Sequence, residues 1–87
     1  MKNIVVVILN YLAYWETEKC VTSIKDKRLK ISNIVIVDNS SGNESYKVLS
    51  KKYAKMENIK ILRTHRNYGF AKGNNIGICY ARNVLGA

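Results

Sequence analysis

Three short polar clusters in this chain hold residue types able to recognise a ligand. They are Asn10-Tyr11, Asp38-Asn39-Ser40-Ser41, and Arg66-Asn67-Tyr68-Gly69 with Lys72 close behind. Asp38 says the most. It follows four consecutive aliphatic residues, Ile34, Val35, Ile36 and Val37. Such an unbroken apolar run suits a strand covered on both faces, as in parallel α/β sheets. Those sheets bind ligands beyond the carboxyl ends of their strands. A carboxylate there can accept a hydrogen bond from a ring N–H of a nucleotide base or from a ribose hydroxyl. It can equally hold a metal or cap the turn into the next helix, and Asp-Asn-Ser-Ser-Gly is ordinary turn chemistry. Lys72 lies where a helix N-terminus would favour a phosphate. Arg63 and Arg66 can face a diphosphate or simply solvate an edge. The single histidine, His65, sits among them as a loop residue.

The elements that must position these clusters read in order. Residues 4–9 are aliphatic throughout and predict a buried first strand ending at Asn10-Tyr11. The loop at 10–14 lacks glycine, which excludes both the dinucleotide fingerprint and a P-loop. Thr17, Cys20, Val21 and Ile24 follow i, i+3, i+4, i+7 spacing, so a helix over 15–27 is expected to pack that face on the sheet. After the central strand, Ser41-x-x-Glu44 fits a capping box. The helix it opens places Leu49, Tyr53 and Met56 on one face and Lys47, Lys51 and Lys55 in an exposed stripe. Residues 58–64 form a third strand with one wet face. Gly69 supplies the turn into a last helix. Gly73 and Gly77, one turn apart within it, are expected to be compensated by close packing on the sheet. Right-handed crossovers then give a three-layer α/β architecture: a parallel sheet of order 3-2-1 with flanking helices. Asn10-Tyr11, Asp38-Asn39 and residues 65–67 all emerge at its carboxyl edge.

Composition sets the limits. Eighty-seven residues make one domain, 1–87, that is 47% hydrophobic and free of proline, a packed globule with a modest core. No apolar run approaches the ~20 residues of a membrane span. Cys20 and Cys79 fall in amphipathic patterns and are expected as buried free thiols in a reducing, cytoplasmic setting. Trp15 and the tyrosines other than Tyr11 are expected in packing roles. Fifteen Lys plus Arg against six Asp plus Glu give +9, which suits an anionic partner, although most of the lysines read as solvated helix faces. With no helix-turn-helix or ribonucleoprotein motif, nucleic acid is the minor alternative; a non-catalytic nucleotide-binding module is the other.

The same residues carry a resemblance. Val6-Val7-Ile8-Leu9-Asn10-Tyr11, Ile36-Val37-Asp38-Asn39-Ser40-Ser41 and Asn67-x-Gly69-Phe70-Ala71-x-Gly73-Asn74-Asn75-x-Gly77 resemble the amino-terminal, nucleotide-binding half of family 2 glycosyltransferases, most of all a rhamnosyltransferase-like bacterial branch that builds surface polysaccharide. The resemblance implies a GT-A, Rossmann-like half and a nucleotide-sugar donor of the UDP or dTDP type. It implies that Asn10 and Tyr11 line the nucleotide pocket, that Asp38, with Asn39 beside it, takes the base N–H, and that Asn67 and Gly69 shape the wall beside base and ribose. With such a donor as ligand, Arg66 and Lys72 are the candidates to contact its phosphates, Arg66 being equally suited to solvating the sheet edge. Asn74 stands where many members have arginine. A full-length enzyme would use Mg²⁺ or Mn²⁺ through an Asp-x-Asp motif, work at the inner membrane surface, and pass the sugar to a polysaccharide or lipid-linked acceptor. This chain has no Asp-x-Asp, so it is expected to be truncated before the metal motif, with no metal ligand or catalytic residue of its own. It is also expected to self-associate, most simply as a two-fold dimer that covers the exposed edge of its first strand or the vacant helix faces.

Overall fold

A computed structural model describes residues 4–26, 31 and 33–86. Three strands alternate with three helices: β1 (Val5–Asn10), α1 (Tyr14–Asp26), β2 (Asn33–Asp38), α2 (Ser45–Lys52), β3 (Ile59–Arg63) and α3 (Phe70–Asn83). The strands form one parallel sheet with β2 in the middle, the order expected. Register lines up the strand ends, Asn10 opposite Asp38 and Asp38 opposite Arg63.

Strand alternation decides which residues meet which helices. Ile34, Ile36 and Ile59 face one side, where Val21 of α1 and Leu49 and Tyr53 at α2 complete the main buried cluster. Val7, Leu9 and Val37 face the other, against α3. Ile34, Val35, Ile36 and Val37 are all buried, as a central strand covered on both faces requires. β1 is only half-buried until Asn10, because within the described sheet it pairs on one side alone.

α3 lies close to the sheet because two of its residues lack a side chain. A Cβ at Gly73 would come within 2.7 Å of Leu9 Cδ1, and one at Gly77 within 2.5 Å of Val7 Cγ1. The expected compensation for glycine inside a helix is therefore met by packing.

Three further expectations fail. Cys20 and Cys79 are free but exposed. The buried row of α3 is Gly73, Gly77 and Ala81, and Cys79 projects from the opposite side. On α1 the buried row narrows to Thr17 and Val21, leaving Cys20 at its margin. Trp15 is 50% exposed and stacks edge-on against Tyr14, nearly opposite Thr17 around the helix. Nor is Ser41 part of a capping box. α2 starts later, with Glu44 as N-cap and no side-chain capping bond; Asn43 Oδ1 accepts from the Ser45 N–H instead. No helix among the described residues is long and apolar enough to cross a membrane.

Candidate functional site

The dipeptide Asp38-Asn39 ends the central strand, and strand alternation sends its two side chains to opposite faces. Each organises a different loop. On the α1 side, Asp38 Oδ1 accepts from Asn10 Nδ2 at 2.9 Å and from Ser41 Oγ at 2.6 Å. Its Oδ2 accepts from the Ser41 N–H at 3.3 Å. Asn10 Oδ1 accepts from Thr17 Oγ1 at 2.6 Å, which ties the end of β1 to α1. All four residues are buried, Asp38 completely. Buried polar groups must be paired, and this network pairs them.

On the α3 side, Asn39 Nδ2 donates to Asn67 Oδ1 at 2.9 Å and to the Gly69 carbonyl at 3.3 Å. Its Oδ1 accepts from the Tyr68 N–H at 3.1 Å. Asn67 Oδ1 also takes the Gly69 N–H at 2.8 Å. Gly69 has φ 82°, a left-handed value that glycine adopts without strain. Thr64 Oγ1 donates to the Arg66 carbonyl at 2.8 Å and lies 3.2 Å from Asn39 Oδ1. Asn39 thus fixes the whole turn from β3 into α3.

The side chains left facing solvent are aromatic and cationic. Tyr11 is 47% exposed. It borders a cleft of about 270 Å³ lined also by Leu9, Asn10, Ala13, Glu16 and Thr17, slightly below the ~300 Å³ at which small-molecule sites begin. Across the sheet edge, Arg66 and Lys72 both lie over the Tyr68 ring, at 5.3 and 4.9 Å from its centroid. Arg63 lies over Tyr46 at 4.8 Å, with its Nε 4.0 Å from Asp38 Oδ2. Neither Arg66 nor Lys72 has a carboxylate partner among the described residues. Lys72 in the first turn of α3 adds its charge to the positive end of a helix dipole. The result is a concentration of positive charge that an anion would neutralise. Two strand spacings, roughly 10 Å, separate the Asn10 and Arg63 ends of the sheet.

The three clusters therefore do converge on the carboxyl edge, but they divide the work. Asn10, Asp38, Asn39 and Asn67 are bonded to one another and to backbone, and they build the loops. Tyr11, Arg66 and Lys72 are the groups with exposed surface to offer. Thr17 and Thr64 are structural hubs absent from the sequence-based clusters, and Ser41, included there only as a polar group and helix cap, is a third hub. Ser41 had a readable signal, a hydroxyl three residues after the aspartate. The described residues hold no group of three or more His, Cys, Asp or Glu side chains able to bind a metal, and internal donors already reach both oxygens of Asp38. These residues do not fit a divalent cation.

Comparison with known proteins adds one positive result. The family model described as glycosyl transferase family 2 matches residues 4–85, which takes in all six elements and every loop of the site. No curated protein matches the chain. With the fold, the strand-end clusters and the family match all agreeing, this chain belongs to glycosyl transferase family 2.

Proposed function

We propose that this chain is the nucleotide-binding part of a transferase that moves a sugar from a uridine or thymidine diphosphate donor to a growing surface polysaccharide or a lipid-linked acceptor, as in the rhamnosyltransferase-like branch, at the cytoplasmic face of the membrane. The observation carrying this reading is the pairing, on one sheet edge, of an aromatic-bordered cleft with cations that lack acidic partners among the described residues. The base enters the cleft against Tyr11. The ribose crosses the strand ends, and the diphosphate reaches Arg66, Lys72 and the N-terminus of α3. Asp38 Oδ2, which accepts only the Ser41 N–H, has one acceptor position left for a base N–H; because Asp38 is fully buried, that contact requires the strand-end loops and Arg63 to move apart. Asn39, Asn67 and Gly69 hold the wall. The side of β1 left unpaired among the described residues makes self-association part of the same proposal.

Calorimetric titration of the chain with uridine and with uridine diphosphate tests the site. Replacing Arg66 and Lys72 together by alanine should weaken the diphosphate about tenfold or more, since hydrogen bonds to charged groups contribute ~1.5–3 kcal/mol each before solvent screening. Uridine alone should bind both proteins equally. Equal loss for the two ligands would contradict the phosphate assignment, and no saturable binding would contradict the site. Binding to duplex DNA that collapses steeply with added salt would favour the nucleic-acid alternative instead.

A further inference from the structure

Two non-glycine residues of the described chain have left-handed backbones: Leu12 at φ 61° and Ser40 at φ 56°. One lies in each of the loops that follow β1 and β2. Side chains with a Cβ avoid this region, and residues held there cluster at sites where the surroundings over-determine them. Leu12 is over-determined. Its N–H donates to Ser41 Oγ at 2.9 Å, and its carbonyl accepts from Asn43 Nδ2 at 2.9 Å. Both ends of one strained residue are gripped by side chains of the neighbouring loop.

The grip is itself anchored. Ser41 is buried, and its hydroxyl uses its full capacity: it donates to Asp38 Oδ1 and accepts from Leu12 N–H and, at 3.4 Å, from Asn10 Nδ2. A hydroxyl has one donor and two acceptor positions, so nothing remains for the helix it was expected to cap. On the other side of Tyr11, Asn10 is buried and bonded to Asp38 and Thr17. Tyr11 therefore stands between two fixed residues while its own ring is half exposed at the cleft. Held backbone and free ring are what a stacking surface needs if it is not to lose freedom when a ligand arrives.

We propose that Ser41 and Asn43 are positioning residues: together they hold Leu12 in its left-handed conformation and so aim the Tyr11 ring across the cleft. The role of that ring rests on the nucleotide reading above; the clamp does not. A merely structural network would stabilise the fold without any link to Tyr11, whereas a positioning network acts on ligand affinity only through that ring.

The test has two readouts on the whole chain. The first is the three-bond H^N–Hα coupling and Cα shift of Leu12 by NMR in wild type, Ser41→Ala and Asn43→Ala. The expected result is a left-handed Leu12 in wild type and a shift toward negative φ in both variants. Asn43 is only partly buried, so Asn43→Ala carries the test if Ser41→Ala fails to fold. An unchanged Leu12 in Asn43→Ala and in any folded Ser41→Ala overturns the clamp whatever the ligand does. The second readout is uridine diphosphate affinity in the same variants, each with and without Tyr11→Ala. Ser41→Ala should weaken binding about tenfold and Asn43→Ala about threefold with Tyr11 present, and each by less than twofold in its absence. Equal losses in both backgrounds overturn the aiming of Tyr11. If Tyr11→Ala itself leaves affinity unchanged, the aiming is likewise overturned and the nucleotide reading falls with it, while the Leu12 coupling still decides the clamp.

Discussion

Replacing Gly77 by alanine offers a sharp check on how α3 seats against the sheet. The added methyl would lie 2.5 Å from Val7 Cγ1 and 2.8 Å from Val37 Cγ2, against the ~3.5–4.0 Å at which carbon atoms sit comfortably. Val37 is fully buried, and both valines are β-branched, with little freedom at χ1. Neither can turn away, so α3 must lift by about 1 Å. Overpacking of this kind costs ~1–3 kcal/mol, and two stiff neighbours place it in the upper part of that range. Alanine returns about 1 kcal/mol of helix propensity. The net expectation is a loss of about 1–2 kcal/mol. For an 87-residue chain the unfolding entropy is about 0.18 kcal/mol/K, so Tm should fall by roughly 5–10 °C. Urea denaturation followed by far-ultraviolet circular dichroism measures this directly. Gly42→Ala is the control: no atom lies within 4 Å of the place its methyl would take, and its φ is unexceptional, so it should change stability by less than ~0.5 kcal/mol. If Gly77→Ala is as stable as wild type, or gains the propensity term, the close seating of α3 is wrong.

Other outcomes follow from the same structure. Leu12→Gly removes the penalty of a left-handed leucine and should raise stability by about 1 kcal/mol, measured by the same denaturation. Alkaline stability rests on two neighbours at the end of α2. Burial raises the Tyr53 phenol above its ordinary 10.0, outweighing the lowering by Lys52. The hydrogen bond to Glu18 raises the Lys52 ammonium above 10.5. Both protons are held more tightly folded than unfolded, so this stability is complete below about pH 10 and is lost as pH rises through the folded values. Tyr53→Phe should therefore flatten part of the fall in Tm above about pH 10, and an unchanged alkaline profile would count against the buried phenol.

What can be read from the chain alone is instructive by residue. The run Ile34, Val35, Ile36, Val37 announces a central strand because four consecutive aliphatics have no other comfortable place. The spacing of Gly73 and Gly77 announces close packing because unprotected glycine in a helix is otherwise a loss. The division of Asp38 from Asn39 is implicit in strand alternation, but which networks they join is not, since their partners lie about 30 residues away in each direction. Ser41 misleads for a competitive reason. Its spacing to Glu44 matches a capping box, yet a buried carboxylate three residues earlier is the stronger acceptor, and local pattern gives no weight to burial. Cys20 misleads because the buried row of α1 is narrower than its periodicity suggests, whereas Trp15 lies nearly opposite Thr17 around the helix and is exposed despite its size.

The central claim is that the carboxyl edge of this sheet binds a nucleoside diphosphate. Titrating the ¹⁵N-labelled chain with uridine diphosphate and mapping amide shifts tests it most directly. Saturable changes are predicted at residues 10–13, 38–43 and 64–73, with the amides of the α2 lysine stripe, Lys47 and Lys51, unmoved. Shifts confined to that stripe, or none at millimolar ligand, would contradict it.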